Sequence, residues 1–220
     1  MVICFLLYEG FTALDVVGPN EILSRLPDTE VRFVASWKGE VKSDSQHLKL
    51  VANYTIAEID KTDVLIIPGS TVGFLEVLQN KSILNWISGI YPKTVYTCSV
   101  SSGSIILAAA GLLKGKKATS HWYSMRFLGE YGVATVNERY VADGKIVTSA
   151  GSSAGIDMAL YLASILDSEA QAKAIELMIE YAPVPPMESG NLALATKDTM
   201  LLAKKKLKDD ALRSGILTLI

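Results

Sequence analysis

The sequence predicts a three-layer α/β sandwich around a mostly parallel central sheet. Three observations carry that reading. Short β-branched, apolar runs alternate with segments of helical length. Two of the runs are almost continuously apolar, as strands covered on both faces must be. No composition shift, flexible linker or repeat divides the chain, so one domain is expected over residues 1–220.

Taken in order, Val2–Tyr8 reads as the first strand and Thr12–Leu26 as the helix after it. Val31–Ser36 is the next strand. Lys38–Asn53 is more polar and alternating, which suits a hairpin or an excursion at the sheet edge. Asp63–Ile67 is a second continuous apolar strand, and Val72–Ile90 carries helical spacing. Thr94–Cys98 then reads as a strand and Ser102–Leu113 as a helix. Tyr140–Ser149 suggests an antiparallel pair, because Asp143-Gly144 is a hairpin-turn dipeptide. Ala154–Leu166 is again helical. Ala182-Pro183-Val184-Pro185-Pro186 ends the helix before it, since proline cannot continue the hydrogen-bond ladder. Lys197–Leu212 reads as a terminal helix within a C-terminal extension, 191–220. Its Lys204-Lys205-Lys206 run is followed by Asp209-Asp210, which favours a solvated face over a binding patch.

Half of the 220 residues are hydrophobic and a fifth are charged, enough for a sizeable core. Lys plus Arg number 21 against 23 Asp plus Glu, a formal charge of −2. That balance lacks the basic footprint of a nucleic-acid binder. Two cysteines and two histidines are too few for a disulfide framework or a Cys/His zinc site, so no metal and no cofactor is expected. The longest apolar stretches, such as Ile105 to Leu113, fall short of the roughly 20 residues of a membrane span. The chain enters Val2-Ile3-Cys4-Phe5 without a basic leader, so a cytoplasmic location is the expectation.

The stretch Val95 to Ser104 carries the strongest chemical signal. An apolar strand stops and a helix of small residues starts, with Ser101 two residues before Gly103. Such a strand-to-helix join is a nucleophile elbow, which lifts one side chain above the carboxyl end of the sheet. The following helix offers free N–H groups and positive dipole charge. Serine and glycine at a helix start are also ordinary capping chemistry, so both readings stand on local sequence. Asp15, in Leu14-Asp15-Val16-Val17-Gly18-Pro19, is either a partly buried acid of raised pKa facing the elbow or a helix-capping aspartate. Pro68-Gly69-Ser70 ends a buried strand, where N–H groups of the turn either form half of an oxyanion hole or merely close the strand. His121, beside Trp122, reads as a packed histidine or a pocket residue.

Together these segments resemble the DJ-1/PfpI superfamily, and within it the isocyanide hydratase-like branch. The resemblance runs from Val2 to about Gly190. It rests on Leu14-Asp15…Gly18-Pro19, Ile67-Pro68-Gly69, the elbow with Ala109-Ala110-Gly111-Leu112-Leu113, Ala118-Thr119-Ser120-His121-Trp122, Ala154-Gly155-Ile156-Asp157 and Glu180-Tyr181-Ala182-Pro183-Val184-Pro185-Pro186. It implies a flavodoxin-like fold of the class I glutamine amidotransferase kind, a homodimer, and a small-molecule substrate. In that branch an elbow cysteine attacks the terminal carbon of an isocyanide, an acid handles protons, and water releases an N-substituted formamide. By resemblance Asp15 is the acid, Ser102 the polar residue after the nucleophile and Ser152 part of the pocket wall. The backbone near Gly69 and Ser102 would donate to an oxyanion, with Ser70, Gly103 and His121 around the site.

The cysteine of that pattern is replaced here by Ser101. Cys98 does not substitute for it: Val100, not glycine, stands two residues later, and Cys98 lies within the strand. Cys98 and Cys4 read as core residues. A helix N-terminus can bring a thiol to thiolate. Its effect, at most about 2 kcal/mol, is too small to ionise an alcohol. Serine then needs a general base. Residue 102 is Ser, not the histidine of the protease-like relatives. Two readings of that serine stand: an introduced Cys→Ser replacement, or a natural serine in a chain whose chemistry is lost or changed. The expectation is a hydratase-type lyase that is inactive or slow with Ser101. The alternatives are a non-catalytic small-molecule-binding or stress-related module and, behind it, an amidase or peptidase. Regulators with the same motifs append a helix-turn-helix domain, which the 30 residues after Gly190 do not provide.

Overall fold

The structure, a computed structural model, describes residues 1–213. Along the chain run β1 (Val2–Leu6), α1 (Ala13–Leu23), β2 (Glu30–Ala35), β3 (Gly39–Lys42), β4 (Lys49–Ala52) and β5 (Tyr54–Thr55). β6 (Val64–Ile67), α2 (Phe74–Gln79), α3 (Lys81–Ile90), β7 (Tyr96–Val100), α4 (Gly103–Ala109), β8 (Lys117–Ala118) and α5 (Met125–Glu130) follow. Then come β9 (Ala134–Thr135), β10 (Tyr140–Asp143), β11 (Ile146–Ser149), α6 (Ala154–Leu166), α7 (Glu169–Met178) and α8 (Lys197–Arg213).

The main sheet has the order β10-β11-β7-β6-β1-β2-β5, parallel throughout except for the β10–β11 hairpin, which turns at Gly144 with φ +63°. Helices flank it on both sides, giving the three-layer α/β fold. β1 and β6 lie at its centre. Ile3 to Leu6 and Val64 to Ile67 are wholly buried, which is why both read as unbroken apolar runs. Each such side chain contributes about 1.5–3 kcal/mol of burial free energy, so the strand ends they anchor are firmly placed. α1 packs on α6 through two glycines. A Cβ on Gly18 would stand 3.2 Å from Ile156, and one on Gly155 3.3 Å from Pro19. The Gly18-Pro19 motif is therefore a packing device.

Several predicted boundaries are corrected. The helix expected over Val72–Ile90 is two helices, because Asn80 turns its Oδ1 onto the N–H groups of Ser82 and Ile83 and caps α3. β7 lies two residues further along than expected: Tyr91–Lys93 forms a tight 3₁₀ turn, and the Thr94 hydroxyl donates back to the Tyr91 carbonyl. α4 stops at Ala109 rather than Leu113, with Gly111 at φ +81° just beyond. Lys38–Asn53 contains the β3–β4 hairpin, separate from the main sheet. Of the predicted extension 191–220, residues 214–220 lie outside the described residues. Among the described residues, no helix is long and apolar enough to cross a membrane.

Candidate active site

Open parallel sheets present their ligand sites at the carboxyl ends of the strands. Here β6, β7 and β11 end in Pro68-Gly69-Ser70, Ser101-Ser102-Gly103 and Ala150-Gly151-Ser152. Ser101 has φ +57°, a left-handed conformation that a side-chain-bearing residue adopts at a cost of about 1–3 kcal/mol. It is held there from both sides. Its N–H donates to the Ser149 carbonyl at 3.0 Å, and its own carbonyl accepts from the hydroxyls of Ser120 at 3.0 Å and Ser104 at 3.2 Å. Gly103 is required for the bend, since a Cβ there would stand 2.3 Å from the Ile67 carbonyl oxygen.

The elbow is tied to the β6 turn. The Ser102 hydroxyl accepts from the Ser70 N–H and donates to the Ser70 carbonyl, both at 2.9 Å. A Cβ on Gly69 would lie 2.6 Å from the Ser102 nitrogen and 2.8 Å from the Ser101 Cβ. The other side of Gly69 faces Asp15, whose Oδ2 accepts the Gly69 N–H at 2.9 Å. Asp15 therefore does not cap its own helix; it bonds across the sheet. It is wholly buried, and among the described residues its Oδ1 has no hydrogen-bond partner. Burial pushes its pKa up to about 7; the nearby Ser152 hydroxyl and the Gly69 N–H oppose that rise, and the charge of Asp44 adds to it.

These bonds correct one expectation. The Gly69 N–H is committed to Asp15 and the Ser70 N–H to Ser102, so neither is free to meet an oxyanion in this structure. Among the described residues neither the Ser102 N–H nor the Gly103 N–H has an internal partner, which leaves both as backbone donors at the elbow.

A cavity of about 690 Å³ opens onto Ser101. Ser70, Ser102, His121 and Ser152 line it as well, so the structure gathers these predicted residues around one space, while Asp15 lies behind its wall. The His121 Nδ1 accepts from the Tyr123 N–H at 3.4 Å, the ring packs 5.5 Å from that of Trp122, and burial lowers its pKa. Among the described residues no hydrogen bond joins it to Ser101. Cys4 and Cys98 are wholly buried, and burial pushes both thiols up, away from reactive thiolate. Among the described residues no cluster of His, Cys, Asp and Glu could hold a metal ion.

Sequence reasoning missed much of the remaining wall. Thr12, Asp44, Phe74, Leu75 and Phe127 line the cavity, and so do Lys204, Lys205, Leu207 and Lys208 of α8. The lysine run read as a solvated face thus borders the site. Nothing local in the sequence marks which surface a terminal helix covers. A second cavity of about 470 Å³ shares Asp44, Thr71 and Val72 with the first and is lined further by Gly10, His47, Asp210 and Arg213.

Residues 1–165 match the DJ-1/PfpI family. The chain is 37% identical over 203 residues to an isonitrile hydratase of Pseudomonas putida, covering 92% of this chain and 88% of that one. It resembles the crystal structure of a ThiJ/PfpI family protein from Pseudomonas syringae with a TM-score of 0.89 at 33% identity, over 98% of this chain and 90% of that one. An HTH-type transcriptional regulator of Pseudomonas aeruginosa is 29% identical over 184 residues, which span 80% of this chain and 52% of the regulator. The chain belongs to the DJ-1/PfpI family.

Proposed function

We propose that this chain carries an isocyanide hydratase-like site in which serine holds the nucleophile position, so that its own turnover is slow or absent. The observation that supports this best is Ser101: a serine held at φ +57° on the wall of a cavity sized for a small molecule. The named function of the 37% identical relative supports the choice of reaction.

Hydration of an isocyanide R–NC adds one water and yields R–NH–CHO. With a thiolate at residue 101, sulfur bonds to the terminal carbon and that carbon takes a proton, giving a thioimidate. Water then adds to the same carbon with one of its protons passing to the nitrogen, and the carbon–sulfur bond breaks as the new hydroxyl loses its proton to the Asp15 carboxylate, which releases formamide and thiolate and restores the acid. The first stage calls for an acid still protonated near neutrality and the second for its conjugate base, and Asp15 supplies both in this reading. Ser152 both lines the cavity and bears on the Asp15 carboxyl, and so joins the two. In this reading the Ser102 N–H donates to the oxygen added by water.

An alcohol at residue 101 lacks the ionisation this scheme needs. Asp15, largely protonated below pH 7, is a poor base for it, and His121 makes no bond to it. Ser101→Cys is therefore expected to convert a simple alkyl isocyanide to its formamide, read by mass spectrometry, well above the rate of the parent chain. No formamide from Ser101→Cys across several isocyanides overturns the reading. That no base is hydrogen-bonded to Ser101 among the described residues also favours a second reading, a non-catalytic binding module. Thermal stabilisation by ligands, with no turnover in either form, would select it. The family relationship further supports a cytoplasmic homodimer, to be checked by light scattering of the purified chain.

A further inference from the structure

The cavity over Ser101 has a charge pattern that the reaction alone does not explain. Lys204, Lys205 and Lys208 of α8 line it. Lys205 is paired with Asp209 at 2.8 Å. Lys204 and Lys208, four residues apart and so on one helix face, have no ion-pair partner among the described residues. Among the described residues the only acidic one in the lining is Asp44. Its carboxylate already accepts from the Thr12 hydroxyl at 2.6 Å and the Thr71 hydroxyl at 3.5 Å, and burial raises its pKa. The rest of the lining is neutral, His121 included, whose pKa burial depresses. Two lysine side chains thus border a largely apolar, small-molecule-sized space, with Asp44 the one carboxylate set against them among the described lining residues.

We infer that the ligand of this cavity carries a carboxylate, held by Lys204 and Lys208, on a short hydrocarbon body. The apolar side chains of Val72, Phe74, Leu75 and Phe127 take up that body. The inference rests on the hydratase-like reading for the other end of the molecule: the substrate class is then a small isocyanide bearing a carboxylate, its terminal carbon at residue 101. Lys204 and Lys208 are specificity-determining residues, outside the chemistry.

The test is equilibrium binding, by calorimetry on the full chain with Ser101 in place, of 6-isocyanohexanoate, its methyl ester and hexanoate. Two exposed lysines are expected to favour the acid over its ester by roughly five- to tenfold at low ionic strength, less as salt is added. The preference should vanish in Lys204→Gln/Lys208→Gln and return in Lys204→Arg/Lys208→Arg. It should survive in Lys206→Gln, which removes a charge from the same helix outside the cavity lining. An ester that binds as tightly as the acid, or a preference that persists without both lysines, overturns the inference. Hexanoate lacks the isocyano group and separates the two claims. Lysine-dependent hexanoate binding without turnover in Ser101→Cys upholds the anionic ligand and defeats the hydratase reading. Turnover of neutral and anionic isocyanides with equal KM does the reverse.

Discussion

Asp15→Asn is the most informative perturbation, because its effect on stability changes with pH in a way no loss of packing can imitate. The Asp15 carboxyl is wholly buried, with one oxygen on the Gly69 N–H at 2.9 Å and the other without a hydrogen-bond partner among the described residues. Burial raises its pKa from the ordinary 3.8 to about 7. In the unfolded chain it ionises near 3.9. Between those values the folded protein keeps a proton that the unfolded chain has released, so stability falls as pH rises from about 4 to about 7 and is level above. Below about pH 4 both states are protonated and the penalty is absent. At about 1.4 kcal/mol per pH unit over that window, the loss amounts to about 4 kcal/mol. Asparagine is neutral throughout and its carbonyl still accepts from Gly69. Its amide protons lack a partner, a cost that does not change with pH. The stability of Asp15→Asn relative to the parent should therefore rise by about 4 kcal/mol between pH 4 and pH 8, measured by urea unfolding followed through the three tryptophans. A difference constant to within about 0.5 kcal/mol across that range would refute a raised carboxyl pKa, and with it the role of Asp15 as a neutral-pH acid.

Three further substitutions probe the elbow by chemical denaturation. Gly69→Ala places a methyl 2.6 Å from the Ser102 nitrogen and 2.8 Å from the Ser101 Cβ, and is expected to destabilise by about 3 kcal/mol or more; an effect below about 1 kcal/mol would mean that the two turns are not in contact. Ser102→Ala removes both bonds to Ser70 and leaves a buried N–H unsatisfied, for an expected loss of about 1–3 kcal/mol, with no measurable loss counting against the tie. Ser101→Gly relieves the left-handed strain and is expected to stabilise by about 1 kcal/mol, whereas destabilisation would show that the bend is unstrained.

How far the sequence foretold this site depends on the range of the interaction concerned. β1 and β6 were legible because complete burial leaves an unbroken apolar run. β7 was legible only in part: its last residues, Ser99 and Val100, include a buried hydroxyl that a hydropathy reading discounts. The bend at Ser101 could be read because Gly103, two residues on, is itself the local cause of the geometry. The Asp15–Gly69 bond spans 54 residues, and no local pattern encodes it. Even so, a carboxylate within an apolar helix face was a sound warning. The lysine run was half understood. Lys204, Lys205 and Lys206 are exposed, as a solvated face requires, but the surface that α8 covers follows from tertiary packing alone.

The serine at the elbow bears on whether this site is a relic. Two of its features are unfavourable to folding: a left-handed serine, at about 1–3 kcal/mol, and a buried carboxyl that costs several kcal/mol once ionised. Against a domain stability of about 5–15 kcal/mol these are heavy terms. Glycine at residue 101 would relieve the first and asparagine at residue 15 the second. Around both, the supporting bonds from Ser149, Ser120, Ser104, Gly69 and Ser70 are in place. A plain strand-to-helix turn needs neither the strain nor the acid. These features support the proposed reactive centre, and the step from alcohol to thiol at one atom is the difference that the Ser101→Cys experiment measures.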